Sequence, residues 1–451
     1  MELKKIIPSQ VQTAVTLLNN AGYSAYIVGG AVRDVIMNNP VNDWDITTSA
    51  LPEETEKVFA GYHFFETGMK HGTVTVIIEK MPLEITTYRI EKGYSDRRRP
   101  DEVLFTDRLE EDLSRRDFTC NAIALHPEKG FIDLFGGKGD IEKGIIRCVG
   151  EPDKRFNEDA LRILRALRFA SVLGFEIESE TDKSIRKSFP LLQFISKERI
   201  FVELSKLLCG KNAGKILLEY SDVLFFILPC LKEMKGCLQN HERHIYDVWE
   251  HTVKGIENVP PVSDLRFAML FHDSGKPCVK TTDENGIDHF YSHAKASREI
   301  AHKALCELKT SAKMRKHICD LVEYHDFLPT KISKKTYKKY IGILGLETVR
   351  ELFIIREADL RAQNPRFLEE NLEDNRKGFE IFSEIIRNEA CFTLKDLNIN
   401  GSDLMAIGFE AGPSLGTILE KLLGEVMDNK ISNNKDALLT RAKELYINGN
   451  S

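Results

Sequence analysis

The sequence predicts an α+β domain at the N-terminal end, followed by regions built of helices alone. Apolar residues alternate with polar ones, as they do in strands, at residues 71–78 and 83–88, and an apolar run at Ala25–Val28 ends on a glycine pair. From Pro152 onward the apolar residues recur at helical spacing. We therefore expect one sheet within residues 1–148 and helical domains after it.

Length, charge and cysteine content limit the classes to which the chain can belong. A chain of 451 residues exceeds one ordinary core, so we expect about two to four domains. The formal net charge of −6 argues against a protein that coats nucleic acid by bulk charge, so any nucleic-acid surface must be local. The nine cysteines lack Cys-x-x-Cys spacing, which argues against a zinc ribbon or disulfide framework. We expect a cytoplasmic protein, because reduced thiols suit that compartment and no stretch approaches the ~20 apolar residues of a membrane helix.

Apolar residues at helical spacing predict a helix over residues 8–20, and the strand that follows it ends on a phosphate-binding turn. Gly29 and Gly30 lack a Cβ, so their backbone N–H groups are able to approach an anion closely at the start of the following helix. Arg33 lies one turn into that helix, where its guanidinium is able to reach a triphosphate oxygen. This stretch predicts a nucleotide site.

The next strand carries a pair of carboxylates. The two-residue period of a strand puts Asp43 and Asp45 on one face and Trp44 and Ile46 on the other, towards a core. Two adjacent carboxylates repel each other unless they share divalent cations, and Mg²⁺ held by carboxylates and substrate phosphates is usual in phosphoryl transfer. Glu84, on a later strand, is either a third ligand or base, or a surface residue of an edge strand.

Two polar segments complete the head. Residues 91–101 form an arginine-rich stretch without apolar periodicity, which predicts a mobile loop. It is followed by Arg115 and Arg116, and residues 133–140 predict a turn that closes the domain near Val149.

Residues 155–169 predict one helix with a charged stripe. Asp159, Arg162, Arg165 and Arg168 recur every three residues. One interpretation is a salt-bridged surface. The other is a base reader, because a carboxylate only accepts and a guanidinium only donates hydrogen bonds. Such a pair matches cytosine and adenine, which place an amino donor beside a ring acceptor, and mismatches guanine and uracil.

In order along the chain, residues 29–34, 43–45, 115–122, 133–140 and 158–162 resemble motifs A to D of class II tRNA nucleotidyltransferases, and specifically the CCA-adding enzymes. The resemblance implies a polymerase β-like head at 1–148, a neck at 149–215, a body at 216–345 and a tRNA-binding tail at 346–451. It implies that Asp43 and Asp45 bind Mg²⁺, with Glu84 as a third carboxylate. The residues implied to hold the nucleotide are Gly29, Gly30, Arg33, Arg116, Asp159, Arg162, Arg165 and Arg168. Of these, Asp159 and Arg162 are implied to read the base, and Arg165 and Arg168 either to contact the phosphates or to support the site.

The resemblance implies magnesium-dependent addition of C, C and A to the 3′ end of tRNA, from CTP and ATP and without a nucleic-acid template. Bacterial poly(A) polymerases share the opening motif, but residues 71–76 replace their characteristic arginine-rich strand. An enzyme that adds only A remains an alternative, whereas the full-length loop between Arg89 and Arg115 argues against one that adds only C. No protein partner is evident.

Histidine and aspartate recur at residues 244–251, 267–277, 290–293 and 321–326. Singly, each histidine is more typical of a core or surface group; together they resemble the HD phosphohydrolase domain, in which such ligands hold a divalent metal that activates water. The ligands implied are His251, His272, Asp273 and Asp326. His293 is a further candidate, and Asp320 competes with Asp326. An HD phosphohydrolase with an RNA-recruiting head is therefore the alternative from another class.

Two later segments predict contacts with RNA. Residues 331–340 are basic with interleaved tyrosines, which suits either an RNA backbone or an ordinary exposed lysine helix. Residues 397–416 resemble the tail of bacterial CCA-adding enzymes, where a Gly-Pro turn opens a helix.

Overall fold

The structure, a computed structural model, describes residues 3–68, 72–93, 102–327, 329–388, 393–410, 412–428 and 430–449. The chain divides into two compact units, Met1–Pro229 with Glu307–Lys309, and Cys230–Cys306 with Thr310–Ser451. The four-domain division at residues 148, 215 and 345 stays a prediction. None of the described helices is long and apolar enough to cross a membrane.

The strands of the first unit lie before residue 180. They are β1 (Ala25–Val28), β2 (Asp45–Thr48), β3 (His63–Gly68), β4 (Thr73–Ile78), β5 (Met81–Thr87), β6 (Arg89–Lys92), β7 (Glu102–Phe105), β8 (Ile123–His126), β9 (Gly130–Asp133), β10 (Ile145–Ile146) and β11 (Glu176–Ile177). Seven of them form one sheet in the order β3-β4-β5-β2-β1-β8-β9. β6 pairs with β7, and β10 pairs with β11. The predicted α+β head with a helical remainder is confirmed.

The register of the central strands brings the carboxylates together. β1 is antiparallel to β2, with Val28 opposite Asp45, and β2 is parallel to β5, with Asp45 opposite Glu84. Trp44 and Ile46 are buried and Asp43 and Asp45 are exposed, as the alternation predicts, but β2 begins only at Asp45, so Asp43 precedes the strand. The predicted strands at residues 72–78 and 83–88 correspond to β4 and β5, which are antiparallel. His71 lies outside the described residues.

The helices of the first unit surround this sheet and continue beyond it. They are α1 (Leu3–Ile6), α2 (Ser9–Asn20), α3 (Gly30–Ile36), α4 (Pro52–Val58), α5 (Leu109–Ser114), α6 (Gly137–Lys143), α7 (Pro152–Glu158), α8 (Leu161–Leu173), α9 (Ser179–Ser188), α10 (Lys197–Leu208), α11 (Ala213–Glu219) and α12 (Ser221–Ile227). α2 confirms the helix predicted before the first strand, and it buries Val11, Val15 and Leu18.

Two predictions about local structure in the first unit are wrong. The single helix expected over residues 155–169 is broken at Asp159, which is extended (φ −137°, ψ 104°) and separates α7 from α8. The Asp159 Oδ1 atom accepts a hydrogen bond from the backbone N–H of Leu161 at 3.0 Å, and such a side-chain bond competes with helical pairing. The turn expected over residues 133–140 contains the start of α6, whose first N–H groups bond to the Asp133 carboxylate.

The described part of the second unit is helical apart from one two-stranded ribbon, β12 (Thr281–Thr282) with β13 (Asp288–His289). The remaining helices are α13 (Val248–Asn258), α14 (Ser263–Phe271), α15 (Lys276–Val279), α16 (His293–Glu307), α17 (Ala312–Tyr324), α18 (Lys334–Leu344), α19 (Leu346–Arg361), α20 (Leu368–Asn388), α21 (Gly401–Ala406), α22 (Pro413–Met427) and α23 (Lys435–Gly449). Leu404, Leu422 and Leu438 centre a separate apolar cluster among the last three helices.

The basic segment at residues 331–340 is only partly exposed. Tyr337 is fully buried, and its hydroxyl donates to the carbonyl of Pro329 at 2.9 Å. Lys338 is also buried, with its ammonium on the carbonyl of Met427. Lys334 and Lys335 are exposed but form ion pairs with acidic side chains. Part of this segment therefore serves packing rather than an RNA surface.

Candidate functional site

A cavity of about 1000 Å³ in the first unit collects the predicted nucleotide-binding residues. The predicted residues that line it are Gly29, Gly30, Arg33, Asp43, Asp45, Arg116, Asp159, Arg162, Arg165 and Arg168. Glu84 is not among the lining residues, although it lies beside Asp45 in the adjacent strand. Predicted residues as far apart in the sequence as Gly29 and Arg168 thus line the same cavity.

The glycine turn leaves little room between a cation and a carboxylate. Gly29 adopts φ 76°, and a Cβ built on it would lie 3.5 Å from Arg116 Nη1 and 3.6 Å from Asp45 Oδ2. A side chain at Gly29 would be strained by that backbone conformation, and it would fill the gap between the two charged groups. The predicted close approach of the backbone therefore has a geometric basis.

The carboxylates of the cavity repel one another. Burial raises the pKa of Asp45, Glu84 and Asp43 raise it further, and Arg116 opposes the rise. A divalent cation between these carboxylates would remove this repulsion, and oxygen ligands of this kind suit a hard cation. The donor set therefore fits a divalent metal ion.

A buried carboxylate that the sequence did not single out holds the arginines of residues 115–116. Asp112 is fully buried and accepts hydrogen bonds from Thr47 (3.1 Å), Arg115 (2.7 Å) and Arg116 (3.3 Å). Burial alone would raise the pKa of Asp112, but Arg115 and Arg116 hold it below its ordinary value. The Nε atom of Arg116 is buried without a hydrogen-bond partner among the described residues, so it is available to an anion.

Arg33 is held in place by two neighbours. Its Nη1 donates to Asn121 Oδ1 at 2.9 Å, and its Nε donates to Asp34 Oδ1 at 3.0 Å. Both partners also line the cavity. Arg33 therefore presents a fixed positive charge there, in the place that the sequence predicts.

Asp159 and Arg162 both face the cavity, but they pair with other residues. Asp159 Oδ2 accepts from Arg199 Nη2 at 2.8 Å. Arg162 Nη1 donates to Glu158 Oε2 at 2.8 Å, and its Nη2 donates to the carbonyl of Arg115 at 2.9 Å. Arg199 lines the cavity and was not predicted as a site residue.

Arg165 and Arg168 are both engaged by carboxylates and by one aromatic ring. Arg165 Nε donates to Asp117 Oδ2 at 2.7 Å, and Arg168 Nε lies 3.2 Å from Glu203 Oε2. Their guanidinium groups lie 5.4 Å and 4.0 Å from the centre of the Phe169 ring. Burial alone would raise the pKa of Asp117, but Arg165 lowers it to about 2. These contacts describe supporting residues, which is one of the two roles the resemblance implies for them.

A second cluster of ionisable residues lies in the second unit. His251 lies on α13, His272 and Asp273 follow α14, and His293 begins α16. The Nε2 atoms of His251 and His272 lie 3.4 Å and 3.2 Å from Asp273 Oδ2, and His293 Nε2 lies 3.4 Å from Asp273 Oδ1. Three of the four ligands that the HD resemblance implies, together with His293, are thus brought together.

The structure distinguishes between Asp326 and Asp320 as the fourth ligand and reveals two further residues in the cluster. Asp326 lines a cavity of about 330 Å³ beside the cluster, whereas Asp320 pairs with Lys316. Two residues that were not predicted lie within the cluster. Asp359 Oδ1 is 2.8 Å from His251 Nε2, and His325 Nε2 is 3.2 Å from His293 Nε2. His325 adjoins Asp326 in the sequence, but nothing in the sequence around Asp359 distinguishes it from a surface acid on a helix.

Burial and neighbouring charges shift the pKa values of the groups in this cluster. Burial opposes ionisation, but His272 and Lys276 hold the pKa of Asp273 well below its ordinary value. Burial alone would lower the pKa of His272, but Asp273 and Asp359 raise it to about 10. Burial and the neighbouring histidines lower the pKa of His325 to about 3. The cluster therefore favours positive charge at His272 and keeps the imidazole of His325 neutral.

Three family models match the chain. The model described as "Poly A polymerase head domain" matches residues 25–147, and the one described as "Probable RNA and SrmB- binding site of polymerase A" matches residues 174–235. The model described as "tRNA nucleotidyltransferase domain 2 putative" matches residues 280–442. The first match spans the sheet, the glycine turn and all three carboxylates of the head.

Whole-chain comparisons identify relatives of matching length. The CCA-adding enzyme of Lactiplantibacillus plantarum is 33% identical over 447 residues, which cover 97% of each chain. That of Lactobacillus johnsonii is 35% identical over 422 residues, which cover 93% of each chain. The crystal structure of the Bacillus stearothermophilus CCA-adding enzyme in complex with CTP is 28% identical, with a TM-score of 0.70 and 98% coverage of both chains. The Thermotoga maritima CCA-adding enzyme complexed with tRNA, 18% identical with a TM-score of 0.58 and covering 98% of this chain and 97% of its own, shares the fold.

Proposed function

The chain belongs to the family of CCA-adding enzymes, and from that premise we propose that it adds C, C and A to the 3′ end of tRNA. CTP and ATP are the substrates, and protein side chains replace a nucleic-acid template. The observation that carries the proposal is the cavity of the first unit, which places carboxylates, arginines and a glycine turn around one space. A family whose reaction is nucleotidyl transfer uses divalent metal, and we propose Mg²⁺ at Asp43 and Asp45.

The triphosphate is proposed to lie against the arginines nearest the glycine turn. Arg116 has a buried Nε without a partner among the described residues, and Gly29 keeps the space beside it open. Arg33 adds a positive charge that Asn121 and Asp34 hold in position. Mg²⁺ bound to Asp43 and Asp45 would supply positive charge that favours ionisation of the tRNA 3′-hydroxyl and offsets charge on the departing pyrophosphate. Glu84, beside Asp45, is proposed to support that ion.

Base selection is proposed for Asp159 and Arg162, which retain capacity beyond their present partners. A carboxylate offers about four acceptor positions, and Asp159 uses one oxygen for the Leu161 N–H and the other for Arg199. Arg162 has five N–H groups, and the contacts to Glu158, to the carbonyl of Arg115 and to that of Arg155 leave others free to donate. The amino group of a C or A base is thus able to donate to Asp159, while the ring nitrogen of the same base accepts from Arg162. Arg165 and Arg168 are proposed to fix the shape of this surface through Phe169.

The experiment is extension of tRNAs that end before the first C, after C-C, or after the complete end. Each is incubated with CTP alone, ATP alone and both nucleotides. We expect addition of C-C with CTP alone, and of the full end with both. Extension only of the C-C-ended tRNA, by A, would identify an A-adding enzyme, and a long run of A would identify a poly(A) polymerase. No incorporation in any reaction would reject the proposal.

A second activity is favoured by the cluster around Asp273. Histidine and carboxylate side chains that converge in a buried position beside a cavity suit a second divalent metal and hydrolysis of phosphoesters or cyclic phosphates at RNA ends. The test measures hydrolysis of a phosphomonoester and of a 2′,3′-cyclic phosphate by the wild-type chain and by His272→Ala. Loss of hydrolysis with unchanged nucleotide addition would show two independent sites. A chain that hydrolyses and never adds nucleotides would favour the HD phosphohydrolase alternative.

The proposed reaction also suggests roles for the regions after the head. We propose that residues 149–215 act as the neck that carries the base reader, and that residues 216–345 and 346–451 act as body and tRNA-binding tail. Addition to tRNA together with the cysteine pattern supports a cytoplasmic location.

A further inference from the structure

We propose that the cavity beside the Asp273 cluster receives the last, unpaired nucleotide of an RNA strand, with its base stacked on Tyr291 and the phosphates of the strand on Arg243 and Arg366. The proposal rests on the second activity proposed above, and it adds the residues that select the ligand. Exposure, ring geometry and unpaired polar groups around the cavity carry it.

Tyr291 is an aromatic ring that faces solvent at the cavity instead of packing in the core. It lines the cavity, yet it is 74% exposed. Its ring is nearly parallel to that of His289, with an angle of 7° between the planes and 5.5 Å between the centroids, so the partner ring covers one face only. Aromatic rings with an accessible face stack on the bases of single-stranded nucleic acids. The other face of Tyr291 is therefore suited to a base.

The β12–β13 ribbon holds this pair of rings in place. His289 Nε2 lies 2.9 Å from Asp283 Oδ2, and Asp283 Oδ1 accepts from the backbone N–H of Ile287 at 3.0 Å. Asp288, which is buried, accepts from the backbone N–H of Asn240 at 2.8 Å and so ties the ribbon to the segment before α13. A stacking surface that is fixed in advance loses little conformational freedom when a ligand binds.

Ser292 turns the chain between the stacking surface and the Asp273 cluster. Its φ of 63° is left-handed, which is uncommon for a residue other than glycine. Conformations of this kind persist where the surrounding structure imposes them, and they are concentrated at ligand sites. Here the turn separates the exposed Tyr291 from His293, whose Nε2 lies 3.4 Å from Asp273 Oδ1. The same cavity is lined by all four residues, so a base on Tyr291 places its sugar and phosphate beside the cluster.

Two further side chains of the cavity suit a nucleoside. His244 Nδ1 is buried and has no hydrogen-bond partner among the described residues, although His244 lines the cavity. A buried ring nitrogen without a partner is unfavourable, and a hydroxyl or amino group of a nucleoside would satisfy it. Phe290 is held by Lys276, whose Nζ lies 5.3 Å from the ring centre. A cavity of about 330 Å³ is at the small end of ligand pockets, so a strand end enters it and a duplex does not.

Two arginines at the edge of the cavity carry charge that no carboxylate among the described residues neutralises. The guanidinium groups of Arg243 and Arg366 lie 5.6 Å and 5.5 Å from the centre of the Phe367 ring, and both residues are exposed. Arg243 precedes His244 in the sequence, and Arg366 follows Gln363 by three residues; both neighbours line the cavity. A guanidinium that stacks on a ring still presents its N–H groups to phosphate. These arginines therefore favour a strand with several phosphates over a single nucleotide.

The test measures binding of two fluorescent probes to the full chain without nucleoside triphosphates, so that the head does not extend them. One probe is a trinucleotide that ends in 2-aminopurine, and the other is 2-aminopurine riboside 5′-monophosphate. Stacking quenches the fluorescence of 2-aminopurine. Tyr291→Ala should weaken binding of both probes about tenfold and remove the quenching, whereas Tyr291→Phe should stay within about twofold of wild type. Val262→Ala, which removes an exposed apolar side chain of the same unit, is the control.

The arginines are tested with the same probes at several salt concentrations. Arg243→Ala and Arg366→Ala should each weaken binding of the trinucleotide about threefold and reduce the slope of log affinity against log salt by about 0.7, without effect on the mononucleotide. Arg376→Ala, whose guanidinium pairs with Glu373, is the matched control and should change neither. Any binding by the head is common to all variants, because every substitution lies in the second unit.

The outcomes separate this proposal from the hydrolase on which it rests. Unchanged affinity and quenching in Tyr291→Ala would overturn the stacking site. Arginine variants that bind the trinucleotide like wild type would overturn the RNA strand and leave a site for free nucleotides. In hydrolysis, Tyr291→Ala should raise the KM for adenosine 2′,3′-cyclic phosphate about tenfold relative to that for glycerol 2-phosphate, which has no base. Hydrolysis of both with an unchanged KM ratio would overturn the stacking site alone, and Tyr291-dependent quenching without any hydrolysis would overturn the hydrolase alone.

Discussion

The two sites of this molecule differ in how their charged and polar groups are paired. In the head, most of the arginines that line the cavity already contact carboxylates, as Arg165 contacts Asp117 and Arg199 contacts Asp159. In the cluster around Asp273, the Nε2 atoms of His251 and His272 lie 3.3 Å apart and those of His293 and His325 lie 3.2 Å apart, around a buried carboxylate. The head is thus organised before a ligand arrives, which suits a substrate that comes and goes. The cluster brings histidine and carboxylate side chains together in a buried position, which suits a resident metal ion.

The largest effect that would test this contrast is expected at the head carboxylates. Asp43→Ala removes a proposed ligand of Mg²⁺ and should reduce nucleotide addition about 10³-fold or more, since a catalytic metal contributes several kcal/mol. Asp43 is exposed, so the free energy of unfolding should stay within about 0.5 kcal/mol of wild type. Incorporation of labelled CTP and urea unfolding measure the two effects.

Glu110→Ala, which removes an exposed acid of the same unit, serves as the control and should leave addition unchanged. Full activity of Asp43→Ala would place the catalytic carboxylates elsewhere. Equal loss of stability and activity would mean that the head is not organised independently of its ligand.

The next largest effect is expected for the ion pair between Arg165 and Asp117 beside the cavity. Because the pKa of Asp117 is lowered to about 2, its contribution to stability is fully present above its unfolded value and is lost as pH falls through about 2. Arg165→Met should cost about 2 kcal/mol at pH 7, since it leaves a buried carboxylate without its cation. Between pH 5 and pH 2 the difference from wild type should shrink. Urea unfolding at several pH values measures it.

Arg186→Met provides a matched control for that change. Arg186 pairs with Asp182 on an exposed helical face, where such a pair contributes about 0.5 kcal/mol or less. A difference between wild type and Arg165→Met that stayed constant with pH would show that Asp117 is not the group responsible.

A smaller effect is expected at the pair that positions the base reader. Arg199→Ala removes the charged hydrogen bond to Asp159, which is worth about 1.5–3 kcal/mol in favourable cases, so we expect about a tenfold loss of discrimination against UTP and GTP. Total addition of CTP should fall less. The ratio of kcat/KM for CTP to that for UTP measures the change, and Lys206→Ala, which also lines the cavity, is the control. An unchanged ratio would assign base selection to other residues.

The same contrast explains which parts the sequence predicted. The head fold, the carboxylate pair and the glycine turn were predicted because their chemistry lies within residues 29–45, where strand period and chain order set the geometry. Asp159 and Arg162 were predicted to lie on one stripe of a single helix because they recur at three-residue spacing. The helix breaks at Asp159, and a residue from α10 supplies its partner instead. Asp359 was missed because its partner His251 comes from a distant segment. Asp112 was missed although Arg115 and Arg116 are near it in the sequence, because no local pattern marks a carboxylate that tertiary packing buries.

The smallest effect tests whether the charges of α18 serve the RNA or the protein. Lys335 Nζ lies 3.0 Å from Asp428 Oδ2, and both belong to the second unit, so the lysine is already neutralised by the protein. Lys335→Ala should therefore weaken tRNA binding by less than about twofold, because an exposed pair is worth little. Asp428→Ala frees the lysine and should strengthen binding slightly, with a steeper dependence on salt. Filter binding at two salt concentrations measures both variants. A loss of more than about tenfold in Lys335→Ala would mean that tRNA displaces Asp428 and that α18 binds the RNA backbone, and the second unit would then, like the head, hold charges in place for a ligand that comes and goes.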